Sequence, residues 1–196
     1  MYSIYPQKTI STTSAVRTFQ RREYLPMIRD ILWQIDSGMV RTITVDRNDT
    51  VTTLGLWSVG DVVGYPLAGI DDYQIQCLSD VRLHRLRVDD CLFFNRVLLS
   101  HLHQSQVLLR IRHGFREDRL KKFLTFLAKE FGQSTESGYY IPHSLSHQNV
   151  AEAIDSNRVT VTRYLGQLEQ QGIIHWSRTS CFLYHNSQKQ FLLNLA

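Results

Sequence analysis

Cysteine is scarce in this 196-residue sequence, and Cys77, Cys91 and Cys181 stand far apart without forming a C-x-x-C pair. That spacing excludes a disulfide framework and a cysteine-rich metal site, and it fits a reducing compartment. Long hydrophobic runs are missing as well: no window approaches the roughly 18 apolar residues of a membrane span. The first residues, MYSIYPQKTISTTSAV, lack the apolar stretch of a secretory signal. A cytoplasmic protein with no membrane partner is therefore expected. Charge of one sign is scarce too. The 22 Lys and Arg against 18 Asp and Glu give a net charge of +4, too mild an excess to identify an anionic partner. No phosphate-cradling glycine loop, nucleophile motif or carboxylate pair is visible. The His-x-His at His101 and His103 lies in a stretch that reads as helix, where residues two apart point in different directions. We expect no catalytic residue, no metal and no cofactor. An enzyme built on a cupin-like barrel, which needs several His and a Glu converging from strands, is the disfavoured alternative.

Hydrophobic residues make up 43% of the chain, enough for ordinary cores. From about Ala15 to Val88 the pattern is short strands with turn punctuation. ILWQI runs into DSG, MVRTITV into DRNDT and VTTLGLW into SVGD, and YQIQCLS is followed closely by VRLHRLRV. This predicts an antiparallel sandwich or barrel of about seven strands, with Gly38 and Gly60 supplying turn conformations that other residues avoid.

Neither Gly nor Pro interrupts residues 89–113, where Leu98, Leu102, Ser105 and Leu109 recur at spacings of four and three. A long helix with a narrow apolar seam follows, and a seam that narrow suits a partner helix. FREDRLKKFLTFLAKEFG reads as a second amphipathic helix, with Leu120, Phe123, Leu124 and Leu127 on one face. Gly132 stops it, and QSTESG reads as a loop. A short helix from about His147 to Ile154, N-capped by Ser146, breaks at DSN before a further helix begins. Two helices joined by about three residues form a helix-turn-helix unit, whose second member enters the DNA major groove. GIIHWSRTSCFLYH then reads as two strands around a turn near Arg178, Thr179 and Ser180, a wing.

The helix in SNRVTVTRYLGQLEQQG has an unusual outer face. At about 100° per residue, Val161, Tyr164, Leu165 and Leu168 share one side. Arg158, Val159, Thr162, Arg163 and Gly166 share the other, a shallow surface with a guanidinium at each edge and little in the middle that wants water.

LSHQNVAEAIDSNRVTVTRYLGQLEQQGII resembles the C-terminal motif of the Crp/Fnr family of bacterial transcription factors. LWQIDSGMVRTITV and LGLWSVGDVVG are similar to two blocks of that family's sensor barrel. The resemblance covers nearly the whole chain after about the first fifteen residues, and RVTVTRYLGQL looks most like the cyanobacterial global nitrogen regulator branch. It implies an α+β chain of three parts: a cyclic-nucleotide-binding-like β-jelly-roll over 1–90, a long dimerisation helix over 91–114, and a winged helix-turn-helix domain over 115–196. It implies DNA contacts from Ser146, Gln148, Asn157, Arg158, Val159, Thr162 and Arg163. Among these, Arg158 and Arg163 correspond to base and backbone contacts, while Ser146 and Gln148 correspond to phosphate contacts. Leu98, Leu102 and Leu109 would form the dimer seam. The expected partners are double-stranded DNA, a second copy of the chain and RNA polymerase.

One departure from the family pattern concerns the ligand. Family members that bind a cyclic nucleotide follow GD-x-x-G with a Glu and then an Arg-Ser or Arg-Thr pair; here Gly64 is followed by YPLAGIDDYQIQ. Tyr65 stands in place of the Glu, and Asp71 and Asp72 lie near the arginine position, where they would repel a phosphate. Nor are there N-terminal cysteines for an iron–sulfur cluster, and Cys77 and His84 read as packing rather than haem ligands. The expected function is a sequence-specific regulator that acts as a homodimer on a palindromic promoter site without cyclic AMP. Gating by another effector such as 2-oxoglutarate, with Arg110 and Arg112 as cationic groups on the long helix, is an alternative. A winged-helix protein-interaction module is another, and the exposed arginine pair argues against it.

Overall fold

The computed structural model describes residues 16–185 other than 91, 92, 143, 144 and 178. The wing turn expected from the sequence includes Arg178, and the expected helix 91–114 includes Cys91 and Leu92; these three residues lie outside the described set. Contacts divide the chain into two compact units, one of residues 1–45 and 55–102, the other of 46–54 and 103–196.

Up to Arg87 the short alternating segments form seven strands: β1 (Val16–Phe19), β2 (Ile31–Ser37), β3 (Val40–Val45), β4 (Val51–Trp57), β5 (Val62–Gly64), β6 (Tyr73–Cys77) and β7 (Val81–Arg87); all lie in the first unit except the start of β4, residues 51–54. They make two sheets of order β1-β7-β2-β5 and β4-β3-β6. The pairs β1/β7, β2/β7, β2/β5 and β3/β6 are antiparallel. The bulky apolar side chains Leu32, Trp33, Ile35, Ile43, Leu56, Trp57, Ile75 and Leu83 are all buried; in β2 and β4 these include adjacent residues, which point to opposite faces, so both faces of those strands are covered there. Gly38 (φ +89) and Gly60 (φ +91) both sit in the left-handed region, and at Gly38 a Cβ would also overlap the carbonyl of Asp80. β5 was not legible as a strand: three residues are too few to show a period.

Helix α1 (Phe94–Ile111) is apolar on two sides. Gln104, Leu108 and Ile111 are buried, whereas Leu98, Leu99, Leu102 and Leu109 are 43–64% exposed. His101 faces inward: its ring stacks on Trp57 with centroids 3.9 Å apart, and its Nε2 lies 2.9 Å from the carbonyl of Val62. His103 is exposed, so the two histidines do point apart.

The second unit is built on α2 (Arg116–Phe131), whose Leu120, Phe123, Leu124 and Leu127 are buried as the helical period requires. Gly132 closes α2, donating its N–H to the carbonyl of Ala128. The segment QSTESG is not simply a loop. It contains β8 (Gln133–Ser134) and turns into β9 (Gly138–Ile141), because Thr135 caps the reversal through bonds with Gly138. After α3 (His147–Ala153) and α4 (Arg158–Gln170), the wing strands β10 (Ile174–Trp176) and β11 (Cys181–Tyr184) complete a four-stranded sheet of order β10-β11-β9-β8.

Candidate nucleic-acid interface

Two capped helices and a locked turn create the surface. Ser146 accepts from the Asn149 N–H at 3.1 Å, while the Asn149 side chain accepts from the Ser146 N–H at 3.1 Å, a capping box that fixes where α3 starts. Asn157 caps α4 by accepting the Thr160 N–H at 2.8 Å. Between them Asp155 adopts φ +53, a conformation Asp tolerates better than most residues. Arg119 of α2 holds that turn, donating to the carbonyls of Ile154 (3.3 Å) and Asp155 (2.9 Å) and pairing with the Asp155 carboxylate at 3.2 Å.

With the turn fixed, α4 buries Val161, Leu165 and Leu168 and keeps Tyr164 half-buried. It leaves Arg158, Val159, Thr162 and Arg163 exposed. Val159 is 79% exposed. A Cβ at Gly166 would meet no atom within 4 Å, so the middle of the face is low. Arg163 extends over the Tyr164 ring, 5.0 Å from its centroid. Gln148, exposed on α3, donates to Glu152 at 2.8 Å. All seven residues expected to contact DNA thus lie on α3 and α4 or at their caps, with Ser146 and Asn157 each using a side-chain oxygen to cap a helix.

The sequence reading missed three residues that shape this face. His147 lies 2.8 Å through Nδ1 from the Thr162 hydroxyl, and its ring is 6.0 Å from that of Trp176. Burial, and then the neighbouring Arg158 guanidinium, lower the His147 pKa against the opposing pull of Glu169. Glu169 in turn accepts the Trp176 N–H at 2.8 Å, tying α4 to the wing. Arg119 is the third. None has a local signal, since each partner lies 7 to 36 residues away in the chain.

The other candidate groups have internal roles. Arg112 donates from Nε to the Ala153 carbonyl at 3.0 Å and from a terminal nitrogen to the Thr53 carbonyl, while Arg110 is exposed. Asp71 and Asp72 are exposed, Tyr65 opens a single 3-10 turn over Tyr65–Leu67, and His84 pairs with Asp36 at 2.7 Å. Burial pushes the thiols of both Cys77 and Cys181 up to about 12, so both are neutral at physiological pH.

A β-domain followed by a long helix and a winged helix-turn-helix with an arginine-edged outer face defines a DNA-binding regulator. A Crp-like helix-turn-helix domain profile matches residues 118–186. The chain is 36% identical over 159 residues to "Regulatory protein CysR" of Synechococcus elongatus, spanning 79% of this chain and 77% of that protein. It is 41% identical over 138 residues to the "Global nitrogen regulator" of Synechocystis sp., spanning 70% of this chain and 57% of that protein. Among solved structures, FixK2 from Bradyrhizobium japonicum superposes with a TM-score of 0.77 at 16% identity, covering 94% of this chain and 98% of that one. A CRP-family transcriptional regulator from Thermus thermophilus gives 0.72 at 21% identity, covering 89% and 95%; at these identities the likeness is one of fold. The chain belongs to the Crp/Fnr family of DNA-binding transcriptional regulators. No helix among the described residues is long and apolar enough to cross a membrane.

Proposed function

We propose that the protein acts as a homodimer on a palindromic promoter site, with one α4 in each of two adjacent major grooves. The observation that carries this reading is the outer face of α4, where Arg158 and Arg163 flank the exposed Val159 and Thr162. Two arginines supply bidentate donors for guanine O6 and N7, and the low middle admits a base edge. Ser146 and Gln148 serve phosphates, and Asn157 starts α4 at the groove. In the parts read from the sequence, residues 1–90 are the sensor-like domain, 91–114 the dimerisation helix, and 115–196 the DNA-binding domain.

Leu98, Leu102 and Leu109 form the seam between protomers, since all three stay exposed in the single chain although α1 has a separate buried face. A two-fold dimer then sets half-sites about one helical turn, roughly 34–36 Å, apart. Action without cyclic AMP follows from the exposed Asp71 and Asp72, which oppose a phosphate. Promoter binding makes RNA polymerase the natural protein partner and the cytoplasm the place of action. Gating by 2-oxoglutarate through Arg112 is disfavoured, because that guanidinium already donates to two carbonyls.

The test is selection of bound sequences from a random DNA pool, followed by titration of Arg158→Ala, Arg163→Ala and Gln148→Ala against the selected site and its single-base variants. Loss of a base-reading arginine costs about 1–3 kcal/mol and relaxes preference at one position, whereas loss of a phosphate contact weakens all sequences alike. Even losses across all variants for both arginine mutants would refute sequence reading by α4.

A further inference from the structure

We propose that His147 is a positioning residue that makes the centre of α4 a reader of the thymine 5-methyl group. The inference rests on the DNA-reading assignment of α4 above and adds what its middle recognises. A threonine hydroxyl carries one hydrogen and two lone pairs. The Thr162 hydroxyl donates that hydrogen to the Arg158 carbonyl at 2.9 Å, one helical turn back. His147 Nδ1 lies 2.8 Å from the same oxygen. With Nδ1 protonated the imidazole donates while the hydroxyl hydrogen stays on Arg158, and with Nδ1 bare the ring takes that hydrogen; in both tautomers the single hydroxyl hydrogen is used within the protein and Thr162 is held from both sides.

This arrangement changes what Thr162 offers a base. Its hydroxyl has no hydrogen left for guanine O6 or N7, adenine N7 or thymine O4, all of which are acceptors. What remains exposed is chiefly its methyl group. Val159 lies three residues earlier on the same face and is 79% exposed; side chains so spaced are neighbours. Gly166, four residues after Thr162, adds no Cβ to block approach. Between the two arginines lies a small strip dominated by the Val159 and Thr162 methyl groups, with no free donor and only a spare hydroxyl lone pair, and the apolar group on a major-groove base edge that such methyls meet is the thymine 5-methyl. His147 is itself held by packing near Trp176, whose backbone is tied to α4 through Glu169.

The experiment uses the full chain and its selected site, with each thymine replaced in turn by deoxyuridine, which pairs identically but lacks the methyl. Burial of one methyl corresponds to about a three- to five-fold change in affinity, so at least one thymine per half-site should show a loss of that size. Thr162→Val keeps the methyl and should retain the penalty at the position it reads; Thr162→Ser lacks the methyl and should abolish it there. His147→Phe keeps a ring near Trp176 but cannot donate, so it should reduce the same penalty in the wild-type background and leave it unchanged in the Thr162→Val background. His147→Asn, which can still donate, should restore it. Selection that yields no preferred site counts against the DNA-reading assignment. A clear site at which no thymine-to-uracil change matters, or at which Thr162→Ser keeps the full penalty, overturns the present inference alone; because Thr162 is exposed, that arm stands even if His147→Phe fails to fold.

Discussion

Replacing Leu102 tests the assembly most directly. Its side chain sits on α1 with 55% of its surface exposed, although burying a whole leucine stabilises by about 1.5–3 kcal/mol. Covering the remaining half therefore contributes about 1–1.5 kcal/mol per protomer. A two-fold interface uses the same residue from both copies, so Leu102→Ala should weaken dimerisation by about 2–3 kcal/mol, or about 30- to 150-fold in the dissociation constant. Leu102→Asp should go further, since it brings a charge into an apolar seam. Sedimentation equilibrium over a concentration series reads the constant, and operator titration should show the parallel loss. Leu108→Ala is the control on the buried face of the same helix, where Leu108 is 1% exposed. That change should lower unfolding stability by about 2–4 kcal/mol yet leave the dimer constant of the folded protein unaltered. An unchanged dimer in Leu102→Asp would remove the seam from the proposal.

Millimolar cyclic AMP should shift neither the melting temperature nor the DNA affinity, because a ligand stabilises only what it binds; an upward shift in a melt would refute the reading of the Asp71–Asp72 loop. Ser146→Ala removes the acceptor of the α3 capping box and should cost about 1 kcal/mol, seen as a lower melting temperature in calorimetry with the dimer constant unchanged. His101 is half-buried, and its pKa is lowered by desolvation against the opposing bond to the Val62 carbonyl, so the unfolded chain takes up a proton below about pH 6.5 while the folded chain resists it. Its contribution to stability is full above about pH 6.5 and falls as the pH drops toward the lowered folded value. Urea unfolding between about pH 7.5 and 5.5, a window that brackets the ordinary histidine value, should therefore show a shallower pH dependence in His101→Phe than in the native chain, and equal slopes would count against it.

Much of this molecule is fixed locally. Strand-length apolar runs between turn residues specify β2, β3, β4, β6 and β7 because side chains two apart share a face, and the period of α4 separates Val161, Leu165 and Leu168 from Arg158, Val159 and Arg163 without any reference to the rest of the chain. The capping role of Ser146 is equally legible, since an N-cap acts within one helical turn, whereas the cap at Asn157 came from the structure. The two-residue β8 became a strand only by pairing with β9, whose other edge meets β11 more than 40 residues along the chain. Gln104 shows the same limit: a polar side chain on a helix reads as solvated, yet here it is buried. The clamp on Thr162 is decided the same way, because the sequence places the hydroxyl on the outer face but only the packing of α3 against α4 brings His147 to it. Periodicity reports which residues share a side of an element, and the partner across the gap is set by how separate elements pack, which no local pattern encodes.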